Sequence, residues 1–514
     1  MPHHGYTDAG NAVFPDTTAQ FTTVRPIEEE GVCTALRAAH SAGTPVTGVA
    51  ALTGLTGSAV PLESGVRIDL TGLDTVPDCV GWRRVSPFLL ISESDPMQGL
   101  VAAGISLQTL NESLLAHDLW YPPHPGEVRA TIGGNVSTNA SGPRTYAFGD
   151  TRAYVESLRV ALADGDVLVL QRGRDFAAGR AFRLQTESGR LFEGRLPDYS
   201  LPQVKNAAGL MATPGMDLID LFIGSEGILG LFTEIGLRFL PRRAIRSEIF
   251  FFGSTSEAFA FAEALRPLKA DHGGYPQHRE SGDGILALEY FDYGSLALAR
   301  EAEAFRDAVP VSAGAAIEVE IFADDPETRV GILLSAERLQ CLGTIPPEQA
   351  GAFRVGVPRR VAEILKERGQ PKYGTDFAVP LKRFPEMMAY YEAMDFEFGP
   401  SRGNSNAVRT AKWGHLGDGH LHCNFICENA EDQALARQLY LKLVRKAVFL
   451  GGTISAEHGV GKKTLADEQG NLHPYLWYLL GEEYRQIAKV KAVFDPKGIL
   501  NRNNMIPAED LLRS

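Results

Sequence analysis

The strongest constraint on how this chain folds is that two separated motifs must share one site. They are Trp413-Gly-His-Leu-Gly-Asp-Gly-His-Leu-His-Cys-Asn424 and Gly451-Gly-Thr-Ile-Ser-Ala-Glu-His-Gly-Val-Gly461. Imidazole and carboxylate donors together suit a borderline divalent ion, zinc first, with manganese or iron as alternatives. A histidine left unligated can take a proton near neutral pH. His415 and His422 are an odd number of residues apart, so a straight strand would aim them at opposite faces. The Gly417-Asp418-Gly419 turn can reset that phase. His420 shares a face with His422 without any turn and is the rival ligand. A lone histidine is more often a hydrogen-bonded structural residue; this cluster, with the adjacent Glu457-His458 pair, favours chemistry.

A chain of 514 residues exceeds one ordinary core and implies two or three domains. Its net charge of −13 argues against nucleic acid or an anionic membrane as the main partner. Cys33, Cys79, Cys341, Cys423 and Cys427 are scattered, without the spacing of an iron–sulfur cluster or a disulfide framework. The stretch Met1 to Asp8 lacks the basic and apolar regions of a signal peptide, and no apolar run approaches a membrane span. The expectation is a cytoplasmic protein, peripheral to a membrane only through a partner.

The first half reads as alternating helices and short strands. Pro26 to Ala42 has Val32, Leu36 and Ala39 at helical spacing and is stopped by Gly43. Val46-Thr47 opens an extended segment, and Ile105 to His117 reads as a second amphipathic helix. Ser157 to Leu170 reads as a hairpin across Asp164-Gly165, and Arg172 to Ser200 as a charged, turn-rich surface excursion. After Leu240-Pro241-Arg242-Arg243, strands Ile285 to Phe291 and Ala316 to Phe322 alternate with helices Ser256 to Leu265 and Pro326 to Leu339. Glu431 to Leu450 is a strong helix with Leu435, Leu439, Leu443 and Ala447 on one stripe.

Two glycine-rich segments, Ala130 to Gly142 and Ile223 to Gly230, let the backbone run close to an anionic ligand and offer amides to a diphosphate. Neither is the dinucleotide fingerprint or a P-loop. On these residues alone, a nucleotide-like cofactor and packing glycines at strand bends both stay open.

Residues 45–61, 122–149, 157–165, 220–235, 413–424, 451–461 and 494–501 resemble, in order, the FAD-linked oxidases with a flavin domain of the p-cresol methylhydroxylase or vanillyl-alcohol oxidase type. The branch is that of D-lactate, D-2-hydroxyglutarate and glycolate dehydrogenases. The resemblance implies an α+β protein with a two-part FAD-binding domain and an inserted substrate cap of antiparallel sheet plus helices. The implied boundaries are 1–242 for the flavin domain, 243–450 for the cap and 451–514 for the returning segment.

By position, the resemblance puts the first diphosphate loop on Thr53, Gly54, Leu55, Thr56 and Gly57. A second flavin stretch falls on Pro125, Gly126, Thr131, Ile132, Gly133, Gly134, Asn135, Thr138, Asn139, Ser141 and Gly142, a third on Glu226, Gly227 and Ile228, and a tail contact on Asn501. It puts the metal ligands on His415, His422 and Glu457, the catalytic base on His458, and substrate contacts on Asn424 and His420. Arg354 is the match for an arginine that grips the substrate carboxylate, a role suited to a bidentate guanidinium.

Some positions depart from the family pattern. Val49-Ala-Ala-Leu52 replaces the usual Arg-Gly-Gly-Gly, so Leu52 must point away from a diphosphate. His420 stands where D-2-hydroxyglutarate dehydrogenases tend to have asparagine, and Gly374 or Thr375 falls where they place a substrate-binding lysine. Asn501-Arg-Asn-Asn-Met505 replaces Asn-Pro-Gly-Lys, and the first glycine loop has no histidine, so FAD is expected to be non-covalent.

The implied reaction is FAD-dependent, metal-assisted oxidation of a D-2-hydroxy acid, D-lactate first, to the 2-oxo acid, with His458 as base. Electrons then leave to a separate acceptor, a quinone or an electron-transfer flavoprotein; a homodimer is compatible with the sequence. The rival reading is a flavin-binding or non-catalytic partner subunit of a glycolate-oxidase-like complex, motivated by Ala50-Ala51-Leu52. A metal-dependent hydrolase would leave the glycine loops without a role.

Overall fold

The computed structural model describes residues 19–270, 282–399 and 409–512; the stretch Met1 to Asp8 lies outside them. Helix Glu29–Ala42 buries Val32, Cys33, Leu36 and Ala39, and ends at Gly43 with φ 67°. The left-handed turn returns the chain to Val46–Val49, which lies in a three-stranded parallel sheet beside Gly65–Asp69, with Phe21–Val24 at the far edge. A six-stranded antiparallel sheet follows in the order Trp82–Ser86, Leu89–Ser92, Gln98–Ala102, Leu231–Arg238, Val155–Ala161, Val167–Gln171. Its last pair is the hairpin expected across Asp164-Gly165.

An eight-stranded antiparallel sheet is built from the second half. Gly343–Ile345, Ile245–Phe252, Ala315–Phe322, Ile285–Asp292, Arg409–Gly414, His420–Ile426 and Tyr373–Gly374 run in that order, and Phe377–Ala378 also pairs with His420–Ile426. Strand alternation gives this sheet two unlike faces. Ile317, Val319 and Ile321 join the main core. On the other face Phe251, Phe291 and Ala316 pack with Phe353 of helix Pro347–Glu367. The Phe353 ring lies 6.2 Å from Phe251 and 5.2 Å from both Phe291 and Phe305, edge to face. Further along, the same face changes from phenyl to carboxylate: Glu289, Glu318 and Glu320 are all buried, and Glu289 lies opposite Glu318.

The C-terminal segment folds back on the first half. Asn501 N donates to Val46 O and Val46 N to Ile499 O, each at 2.8 Å. Phe494 stacks on Phe182 and Phe192, with centroids at 5.7 and 5.3 Å. Burying a phenyl ring this way is worth about 2–3 kcal/mol. Lys491, also buried, pairs with Asp495 at 2.7 Å and donates to Ile228 O and Leu500 O.

One expectation needs correcting, and one residue is placed as its sequence required. Arg172 to Ser200 is not a bare excursion: Ala181–Gln185 and Leu191–Arg195 form a hairpin whose Phe182, Leu184 and Phe192 are buried under Phe494 and its neighbours. Its alternation was hidden by the arginines and glutamates on its outer face. Leu52 takes φ 57°, a left-handed conformation usual for glycine, and its side chain is exposed, away from the loop interior.

Lys491→Met would leave the Asp495 carboxylate buried without its cation, at a cost of about 3–5 kcal/mol. The thermal unfolding midpoint should fall by several degrees; an unchanged midpoint would show that this pair does not anchor the C-terminal segment.

Candidate functional site

The two histidine-bearing motifs meet. Strands Arg409–Gly414 and His420–Ile426 pair with Trp413 opposite His422, and a short turn, Leu416–Asp418, joins them. Gly419 closes the turn at φ 66°, and a Cβ there would lie 2.4 Å from Val379 O. The turn brings His415 back to the side on which His420 and His422 project, as its sequence suggested. Ring centroids lie 5.0 Å apart for His415–His420, 5.6 Å for His415–His422 and 4.5 Å for His420–His422.

Glu457 enters this cluster from the second motif. Its Oε2 is 3.1 Å from His415 Nε2 and its Oε1 is 3.2 Å from His422 Nε2, while His420 Nδ1 is 4.0 Å from Oε2. One donor atom from each of His415, His420, His422 and Glu457 lies within 4.8 Å of the others, a grouping that could hold a metal ion. The far nitrogens of two rings are held in place. His415 Nδ1 meets the Glu289 carboxylate at 2.9 Å, and His422 Nδ1 meets Thr375 O at 3.1 Å. Such second contacts fix the tautomer and turn Nε2 toward a cation. Burial disfavours charge on His415, but Glu289 outweighs it and raises its pKa to about 9. Burial likewise opposes charge on Glu457, yet Lys205 and His415 hold it well below the usual carboxylate range.

Adjacent Glu457 and His458 both face inward because of Asp376, which the sequence reading missed. Its Oδ2 accepts Ser455 Oγ at 2.7 Å, His458 N at 2.9 Å and Glu457 N at 3.3 Å. It also lies 3.3 Å from His458 Nδ1, so Nε2 is the nitrogen that faces Glu457 Oε1, at 3.5 Å. Its Oδ1 is 2.9 Å from His420 Nε2, off the line of a hydrogen bond. Burial pushes the Asp376 pKa up, but His458 and His420 outweigh this and keep it ionised. The signal available in sequence was a polar Thr375-Asp376 step inside an otherwise apolar strand pattern.

A second missed residue is Lys205. Its ammonium sits 2.9 Å from Glu457 Oε2 and 3.3 Å from Gly142 O, with a side chain 3% exposed. It also lines a cavity of about 560 Å³ together with Asn139, Asn206 and Gly224. A separate cavity of about 520 Å³, beside Thr75 and Ser106, has no part of this cluster in its lining.

The glycine loops converge on the same region. Glu226 joins them: Ser58 Oγ, Val460 N and Gly461 N donate to its carboxylate at 2.7–2.8 Å, and Asn501 Nδ2 and Asn504 Nδ2 donate to its carbonyl at 2.9 Å. Gly461, at φ 52°, lets Thr56 O approach to 2.2 Å from where a Cβ would stand. Glu226 and Asn501, expected against a flavin, thus spend their polar groups on protein partners. Thr131 caps helix Ile132–Thr138 by accepting Gly134 N, and Asn139 ends it in a left-handed conformation. Buried Asn135 Nδ2, Ser141 Oγ and Ser225 Oγ have no hydrogen-bond partner among the described residues, nor does either amide atom of Asn424. Orphaned donors on loops open at Gly54 and Gly126 fit a cofactor with a diphosphate and a polar ring.

Arg354 is not open. Its Nη1 lies 3.0 Å from Glu320 Oε1 and 3.9 Å from Glu318 Oε1, and Arg144 Nε reaches the other oxygen of Glu320 at 2.8 Å. Burial raises the Glu318 pKa to about 7 despite Arg354, whereas for Glu320 burial is outweighed by Arg144 and Arg354, which lower it to about 2.

Residues 22–171 match the FAD binding domain family, and residues 275–505 match the C-terminal domain of FAD linked oxidases. A D-lactate dehydrogenase of Archaeoglobus fulgidus is 25% identical, over 96% of this chain and 93% of its own length. A D-lactate dehydrogenase of Anaerostipes hadrus is 26% identical, over 93% and 88%. Glycolate oxidase subunit GlcD of Escherichia coli is 27% identical, over 95% and 84%. Among solved structures, an alkyldihydroxyacetonephosphate synthase superposes with a TM-score of 0.61 at 14% identity, over 93% of this chain and 75% of that one; it shares the fold.

Asp376→Asn removes the charge that holds His458 and the backbone of Glu457. Turnover or metal affinity should drop about 10–100-fold while FAD stays bound. Unaltered kinetics and metal content would leave Asp376 only a structural acceptor.

Proposed function

The chain belongs to the FAD-linked oxidases, and from that premise we propose that it is a dehydrogenase oxidising a short D-2-hydroxy acid, D-lactate first, to the 2-oxo acid. The observation that carries this reading is the shared carboxylate of Glu457, with His415 and His422 on its two oxygens and His458 beside it. When bound, FAD supplies the hydride acceptor and a divalent ion, zinc by donor type, supplies the charge that acidifies a hydroxyl.

His415, His422 and Glu457 would hold that ion, with Glu289 and Thr375 O keeping the two imidazoles oriented. His420, buried between Asp376 and Glu457, is the fourth group in range. His458 would accept the hydroxyl proton at Nε2, because Asp376 faces Nδ1. The amide of Asn424, buried and without a partner among the described residues, is free to bond the substrate. Thr53 to Gly57, the stretch from Pro125 to Gly142, and Gly227 with Ile228 would cradle FAD without a covalent bond. The sheet and helices of residues 243–450 would cap the substrate, with 451–514 returning to the flavin domain. Electrons would leave to a separate acceptor, a quinone or an electron-transfer flavoprotein; among the described residues no helix is long and apolar enough to cross a membrane.

The deciding experiment is anaerobic bleaching of the flavin bands by a panel of D- and L-2-hydroxy acids, with and without chelator. D-lactate should bleach them, L-lactate should not, and chelator should suppress the reaction. A colourless protein that cannot be reconstituted with FAD would favour the partner-subunit reading.

With FAD retained, His458→Ala should lower turnover by about 10²–10⁴-fold, the contribution of a general base. Near-normal turnover would remove His458 from the proton transfer.

His422→Ala should lose the bound ion, as read by elemental analysis of the purified protein. Unchanged stoichiometry would move the ligand assignment to His420.

A further inference from the structure

We infer that Lys462 is a positioning residue for the flavin's diphosphate, turning three consecutive amides of the first glycine loop toward that anion. The assignment rests on the flavin binding proposed above and refines it. Lys462 stands just past the second histidine motif, outside every stretch that the resemblance assigns to the flavin. Gly461, at φ 52°, leaves room for Thr56 O, and Lys462 N donates to that carbonyl at 3.1 Å. The Lys462 ammonium donates to Ser58 O at 2.8 Å and faces Gly57 O at 3.5 Å. One residue thus holds three successive carbonyls, those of Thr56, Gly57 and Ser58, on its own side.

In a trans peptide the carbonyl and the following N–H point in opposite directions. The N–H groups of Gly57, Ser58 and Ala59 are therefore turned away from the lysine, and none has an acceptor among the described residues. Gly57, at φ 75°, supplies the left-handed step that lets neighbouring amides converge into an anion-binding nest. The charge points the same way. Lys462 is 6% exposed, and its ammonium contacts only uncharged oxygens, the closest being Asn504 Oδ1 at 2.6 Å. Burial lowers its pKa to about 7, and Glu226 and Glu63 offset this only in part. A buried ammonium with no anion in contact is stabilised when a diphosphate settles on the loop it holds. Asn504 fixes the ammonium from the far side, because its Nδ2 is tied to Glu226 O at 2.9 Å.

The experiment compares the full-length wild-type apoprotein with Lys462→Met, Lys462→Gln and Lys462→Arg. Dissociation constants are read from flavin fluorescence for FAD and for riboflavin, which has the same ring system and no phosphate. The Met variant should bind FAD about 10–100-fold more weakly and riboflavin almost as wild type does. Gln, which keeps a donor for the carbonyls without the charge, should fall between, and Arg should restore part of the loss. Should the Met variant fail to fold, the Gln and Arg variants carry the same comparison. Equal weakening of FAD and riboflavin would make Lys462 a structural residue only, and unchanged FAD affinity in the neutral variants would remove it from the diphosphate site. Either result overturns the assignment. A wild-type apoprotein that takes up no FAD would instead sink the flavin reading itself, whatever the variants do.

Discussion

A carboxylate as nearly enclosed as that of Glu457, with a side chain 11% exposed, needs compensating charge within contact distance. Here the compensation comes from two distant parts of the chain: Lys205 at 2.9 Å, and His415 and His422 of one motif at 3.1 and 3.2 Å. This requirement organises the molecule. It obliges the end of the eight-stranded sheet, the loop after the Leu191–Arg195 strand and the turn after helix Ala430–Phe449 to converge. A divalent ion would satisfy the same carboxylate more strongly than imidazoles do, so a metal fits the fold's own electrostatics.

Glu226 plays the corresponding part on the cofactor side. Its carboxylate accepts from the first glycine loop and from the backbone just beyond His458, and its carbonyl accepts from the C-terminal asparagines. Burial raises its pKa, and Ser58 with the two amides only partly offsets this. The glycine loops and the second histidine motif are therefore one bonded unit. Asn501 belongs to this clasp, which explains how a tail residue far along the chain comes to sit beside the first loop without needing a ligand to hold it there.

Much of this was legible in the residues. The Gly417-Asp418-Gly419 turn said how His415 regains the side of His422, and the stripe along Glu431 to Leu450 gave the helix between the motifs to within a residue at each end. Helix Pro347–Glu367 escaped because Pro358 reads as a breaker, although the helix is long enough, and Phe353 well enough packed, to keep it. Asp376 and Lys205 escaped for a different reason. Neither sits in a motif, and their importance arises only from which strand or loop the tertiary fold lays against Glu457. The occupation of Arg354 was equally hidden, since the burial of Glu318 and Glu320 depends on which face of the Ala315–Phe322 strand lies under the helix.

That last feature links the arginines to the histidine cluster through Glu289. The residue serves His415 at 2.9 Å and also stands opposite Glu318 in the acidic row. Against the opposing effect of burial, it helps raise the His415 pKa to about 9. Were His415 to hold a cation through Nε2, Glu289 would orient the ring by accepting Nδ1–H. The acidic row thus strengthens the ligand it touches and at the same time neutralises the arginines beside it. Through Glu289, therefore, the acidic row and the histidine cluster form one buried charge network.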